Sequence, residues 1–152
     1  MEDKVNSIDH SRAAELNRAL ELFHFAYRAF TAGPDRILEG RGLQRVHHRI
    51  LYFVGRNPDL PVNGLLAILG VTKQALNAPL RQLLEMRLVD NQPDASDRRV
   101  RRLRLTADGA KLEASLSGQQ RKAMEKVFRR CGRQAEQSWR DVMGAIGMFA
   151  PS

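Results

Sequence analysis

Gly70-Val71-Thr72-Lys73-Gln74-Ala75-Leu76-Asn77-Ala78-Pro79-Leu80-Arg81-Gln82-Leu83 is the stretch on which the fold turns. Glycine at 70 suits the left-handed residue that closes a helix, and threonine at 72 suits the N-cap of the next one. Before the joint, a helix opening at Pro61 or Val62 has Leu65, Leu66 and Leu69 for its apolar contacts, and Val71 is placed to plug the core. After it, a helix runs to about Met86. With Leu76 at zero and about 100° per residue, Leu76, Leu80 and Leu83 share one face. Gln74, Asn77, Ala78 and Arg81 fall on the other. Helix, glycine turn and capped helix in so short a span is the helix-turn-helix pattern. The outward face carries groups suited to base edges: arginine for guanine, glutamine or asparagine for adenine, alanine for a thymine methyl. Lys73 stands in the first turn, within reach of a phosphate. An amphipathic helix alone reads as a solvated face; the flanking elements turn the reading toward DNA.

Downstream, Asn91-Gln92-Pro93-Asp94-Ala95-Ser96-Asp97 is turn-forming, and Val89 to Leu105 reads as a β-hairpin. Its second strand sets Leu103 and Leu105 against Arg102 and Arg104. Arg98, Arg99, Arg101, Arg102 and Arg104 fall within seven residues. Like charges at this density repel unless a polyanion or nearby acids, here Asp94 and Asp97, offset them, and arginine suits a narrow minor groove. Thr106 caps a long helix, Ala107 to about Arg130, with Leu112, Leu116, Met124 and Phe128 inward and a possible kink at Gly118. A last helix covers Gln134 to Phe149. Upstream, a helix from Ser11 to Thr31 shows Leu16, Leu20, Phe23, Tyr27 and Phe30 at the spacing of a buried stripe, and Gly33-Pro34 is expected to end it. Another runs from Leu43 to Gly55, with Val46, Ile50, Leu51 and Val54 inward.

Val71-Thr72-Lys73-Gln74-Ala75-Leu76, Pro93-Asp94-Ala95-Ser96-Asp97-Arg98-Arg99 and Leu105-Thr106-Ala107-Asp108-Gly109 closely resemble the MarR family of winged helix-turn-helix transcriptional regulators, and the helix order extends the resemblance over nearly the whole chain. The fold it implies is mostly α with a small β-hairpin wing. Residues 1–40 and 106–152 would supply N- and C-terminal dimerisation helices around a DNA-binding region at 41–105. The resemblance places Thr72, Lys73, Gln74, Asn77, Ala78 and Arg81 in the major groove. It places Arg99 in the minor groove, oriented by Asp97, with Arg98, Arg101 and Arg102 beside it. The implied partners are double-stranded DNA, a second copy of the chain and a small aromatic or phenolic effector. The effector would sit in a cavity lined by Phe23, Tyr27, Phe30 and His47. A homodimeric repressor on a palindromic promoter site follows. Pro79 departs from this picture, since an interior proline costs a helical hydrogen bond. Either the reading helix kinks there or a fresh one starts at Pro79. A DNA-coating protein without sequence preference, or an adaptor that has lost base readout, fits the same residues.

Composition agrees with a nucleic-acid partner: the 152 residues carry a formal net charge of +8. No apolar run approaches the 18 or so residues a membrane span needs. Met1 to His10 is polar, so no signal peptide is expected and the cytoplasm is the expected compartment. Cys131 is the single cysteine, which excludes an intrachain disulfide. A redox sensor wants a lowered thiol pKa and a resolving partner or an accessible pocket; Arg129, Arg130 and Arg133 would favour a thiolate, but an ordinary helix-end cysteine is the expectation. His24, His47 and His48, with Glu21 or Glu39, have no metal-ligand spacing, and no metal or other cofactor is expected. No phosphate-binding glycine loop, HExxH or GxSxG motif is present, so no enzyme is expected.

Overall fold

The structure, a computed structural model, describes residues 2–149, with side chains from residue 11 onward. The signal-peptide expectation for Met1 to His10 therefore falls on side chains outside the described set. Six helices and a small sheet follow in the order α1 (Glu2–Glu39), α2 (Arg45–Arg56), β1 (Leu60–Pro61), α3 (Val62–Leu69), α4 (Lys73–Glu85), β2 (Val89–Pro93), β3 (Arg101–Leu105), α5 (Ala107–Cys131) and α6 (Arg133–Gly147). The sheet is antiparallel in the order β1-β3-β2, so β1 closes the free edge of the hairpin. This is the expected mostly helical winged helix-turn-helix. Strand β1, two residues long, was hidden in the turn before α3.

The apolar faces of α2, α3, α4, β3 and the first half of α5 meet in one core. Ile50, Leu51, Leu65, Leu83, Leu103 and Leu116 are all at 0% exposure there. Val71 is not part of it. At 37% exposure it sits on the surface of the joint instead of plugging the core, because the two helices already seal the space with Leu65 and Leu76.

Helix α1 does not stop at Gly33-Pro34. It carries Pro34 inside and runs on to Glu39. Proline leaves one carbonyl without its N–H donor, at a cost of roughly 3 kcal/mol. Burial offsets this: Thr31, Pro34 and Leu38 form a sunken stripe, and Leu38 reaches the core at 1% exposure. The true stop lies eight residues later. Gly42 is left-handed at φ 69, its N–H donates to Glu39 O, and the Leu43 N–H donates to Leu38 O at 2.8 Å. That is the Schellman closure, with Leu38 and Leu43 in apolar contact across it. The same closure ends α4, where Arg87 takes φ 56 and the Leu88 N–H donates to Leu83 O.

Upstream of Pro34 the stripe expected to be buried lies open. Leu16 is 50% exposed and Leu20 70%, and Phe23 and Tyr27 are close to half exposed. Helix α6 buries no residue, and Trp139, Val142 and Ile146 face outward from it. These faces have the spacing of core helices, and beyond the edge contact of Trp139 with Phe128 they meet no core among the described residues.

Candidate nucleic-acid interface

Local chemistry builds the helix-turn-helix. Gly70 adopts φ 62, and its N–H donates to Leu66 O to close α3. Thr72 is extended, and its Oγ1 accepts the Ala75 N–H at 3.1 Å to open α4. Helix α4 then buries Leu76, Leu80 and Leu83 and exposes Lys73, Gln74, Asn77, Ala78 and Arg81, the two faces the helical wheel predicts. Pro79, half-buried, lies within α4, which runs unbroken from Lys73 to Glu85. A fresh helix therefore does not start there. Arg81 lies 3.9 Å from Glu85 in a largely exposed pair, a contact weak enough to exchange for a better partner.

The wing divides its arginines into two sets. Arg102 donates from Nε to Asp94 and from Nη1 to Asp59 O at 3.1 Å. Arg104 grips the Asp59 carboxylate with two nitrogens. Arg102, expected among the DNA contacts, is thus a brace. The acids that hold these two lie on the opposite wing strand's end and in the turn before β1, so the arginines tie hairpin to body. Asp94 also accepts from Ser96 Oγ and from the Ser96 and Asp97 N–H groups. The Ser96 hydroxyl and then the Arg102 guanidinium hold its carboxyl well below the usual carboxylate range. Asp59 is held down in the same way by Arg104.

Arg98, Arg99 and Arg101 are left exposed. Arg99 is 94% exposed at its side chain, its Nε is 3.5 Å from Asp97 Oδ1, and that same oxygen accepts the Arg99 N–H at 3.0 Å. Asp97 therefore fixes the Arg99 backbone through that bond and stands beside an otherwise free guanidinium. Thr106 and Gly109 anchor the base of the wing. The Thr106 hydroxyl donates to Arg87 O and accepts the Gly109 N–H. At Gly109 the helix lies so close to Leu88, the residue before β2, that an added Cβ would collide with the Leu88 carbonyl oxygen.

A cavity of about 810 Å³ opens between α1, α2, α5 and α6. Tyr27 and Phe30 line it as expected; Phe23 and His47 do not. Phe23 lies on the open face of α1. His47 is 5% exposed and points the other way, toward α4. Its neighbour His48 takes the cavity side, because adjacent helical residues differ by about 100° in direction. His48 Nε2 meets Ser117 Oγ at 3.1 Å, and burial pushes its pKa down against the opposing pull of Glu113 and Asp35. Arg45, Arg49, Tyr52, Arg56, Arg121 and Arg140 also line the space, with Asp35, Glu125 and Glu136.

Cys131 is exposed at the end of α5. Among the described residues no three His, Cys, Asp or Glu side chains gather as a metal site would require. Nor is any helix long and apolar enough to cross a membrane.

A scaffold of this kind, with an exposed polar face on the second helix of a helix-turn-helix and a free arginine on a braced wing, defines a winged-helix DNA-binding protein. The comparisons narrow the class. A sequence profile of the MarR family matches residues 41–100. The HTH-type transcriptional regulator PetP of Rhodobacter capsulatus is 45% identical over 132 residues, covering 87% of this chain and 80% of that protein. The chain belongs to the MarR family and is a transcriptional regulator of it, not an enzyme. Among solved structures, Streptococcus pneumoniae FabT in complex with DNA superposes with a TM-score of 0.78 at 17% identity, over 88% of this chain and 96% of FabT. NadR in complex with 4-hydroxyphenylacetate gives 0.69 at 20%, over 84% and 90%. Both share the fold.

Proposed function

We propose that this chain acts as a homodimer that binds a palindromic promoter site and represses by occupying it, with release governed by a small aromatic acid. In this reading Gln74, Asn77, Ala78 and Arg81 meet base edges in the major groove. Thr72 and Lys73, at the start of α4, hold phosphate. Arg99, aimed by Asp97, enters the minor groove, with Arg98 and Arg101 on the flanking backbone. Arg102 stays with Asp94 and braces the wing. The observation that carries the reading is the division within the wing: two arginines are neutralised internally, and Arg99, beside Asp97, is left almost wholly in solvent. FabT, of the same fold, has been solved on DNA.

A second copy of the chain would cover the open apolar faces of α1 and α6 and present two reading helices about a two-fold axis. Half-sites about one helical turn apart follow from that symmetry. The effector reading rests on the cavity beside α1 and α2. Its five arginines outnumber its three acids, and Tyr27, Phe30 and Tyr52 supply aromatic surface, a lining suited to an aromatic carboxylate such as the one held by NadR.

Fluorescence anisotropy on a labelled promoter duplex tests this. Affinity falls as salt rises, because each neutralised phosphate releases counterions. Arg99→Ala weakens binding by roughly ten- to a hundredfold, about 1–3 kcal/mol, with the dimer unchanged. Wild-type affinity in Arg99→Ala would contradict the wing assignment.

A further inference from the structure

His47 and Gln82 form a chain of hydrogen bonds whose direction is fixed from one end. The Gln44 N–H, a backbone donor with no alternative role, points at His47 Nδ1 at 2.9 Å. That nitrogen must accept, so the ring proton sits on Nε2. Nε2 lies 2.9 Å from Gln82 Oε1 and donates to it. The Gln82 amide nitrogen then faces Gly42 O at 3.1 Å and donates in turn. Every group has one partner of the right sense. The chain joins the closure of α1 at Gly42, the first turn of α2 and the last turn of α4.

Between α2 and α4 the remaining contact is apolar, built from side chains such as Ile50, Leu51, Leu76 and Leu83. Apolar contact is non-directional and fixes neither the slide nor the roll of one helix on the other. Hydrogen bonds with defined angles do. Gln82 follows Arg81 on α4, one residue from the outward face that ends at Arg81. His47 precedes His48, which lines the cavity. Helix α2 therefore carries cavity-lining groups on one side and the strut on the other.

We propose that His47 and Gln82 are positioning residues that set the placement of α4 on α2 and so determine DNA specificity without touching DNA. The specificity part rests on the proposed DNA reading; the strut itself does not.

The test uses the full-length chain with Gln82→Leu, which leaves His47 Nε2–H without an acceptor, and Gln82→Glu, which restores the acceptor but not the donor to Gly42. Nuclear magnetic resonance on the DNA-free protein reads the strut directly. The wild type shows His47 as the Nε2–H tautomer. Gln82→Leu shifts the amides of residues 73–81 while those of 101–105 stay in place, and Gln82→Glu shifts them less. An Nδ1–H tautomer, or unmoved amides in Gln82→Leu, overturns the proposal. On duplexes recovered by selection with the wild type, Gln82→Leu lowers the ratio of selected to random affinity by about tenfold, the scale of one buried hydrogen bond, and Gln82→Glu recovers part of it. An equal loss on both duplexes together with a lower melting temperature marks a merely structural pair and overturns it too. If the wild type selects no sequence, the DNA reading fails while the resonance arm still decides the strut.

Discussion

From Leu43 to Leu105, leucine and isoleucine side chains close on one another, with Ile50, Leu51, Leu65, Leu83 and Leu103 at zero exposure, whereas the equally regular stripes of α1 and α6 leave Leu20 at 70% and Val142 at 57%. With Leu38 of α1 and Leu112 and Leu116 of α5, this central core is complete within the chain. The terminal helices have the pattern of an interior and the environment of a surface. A 15-residue helix such as α6 is marginal in water by itself, and contiguous apolar faces of this kind mark interaction surfaces. The centre's structure is thus decided within the chain, and the ends carry apolar faces that the proposed second copy would cover.

Gly109→Ala should break the centre outright. The new Cβ has backbone, not a flexible side chain, in its way, so α5 must leave β2 and the stability loss exceeds about 3 kcal/mol, read by urea unfolding. Leu51→Ala should cost about 2–5 kcal/mol through lost burial and a cavity, with wing and reading helix weakened together. Leu20→Glu sharpens the contrast. It should leave the helical circular dichroism of the centre in place while moving the sedimentation mass from two chains toward one. A dimer that survives this substitution would detach the α1 face from the assembly. The smallest effect concerns His48. Burial lowers its folded pKa below the ordinary value of about 6.5, so the unfolded chain binds more protons, and the stability it contributes is full above that pH and lost as pH falls through it. The urea midpoint should therefore fall on going from neutral to mildly acid pH, and His48→Gln should flatten that dependence.

The parts of the fold legible in sequence are those specified by short-range chemistry. Gly70, Thr72 and Thr106 act on neighbours three to five residues away, and the structure has each in its expected role. The alternation of faces in α4 is likewise local. What was not legible depends on distant partners. Gly33-Pro34 is a sound stop signal by itself, overruled because Leu38 finds a core built mainly from residues after Leu43. Arg104 looks like free charge until Asp59, in a different turn, is brought beneath it, and the Asp59 carbonyl joins Asp94 in holding Arg102. His47 and His48 differ by one position, and only the packing of α4 on α2 and of α5 on its other side decides which becomes a strut and which lines the cavity. Strand β1 is two residues long, too short to show a period.

Selection of bound duplexes from a random pool by the full-length protein tests the central claim most directly. The account predicts enrichment of a two-fold symmetric sequence whose half-sites lie about one helical turn, roughly 10 base pairs, apart. Its centre and flanks should show narrow-groove steps where Arg99 would enter. Recovery of no preferred sequence, or of one without two-fold symmetry, would contradict it.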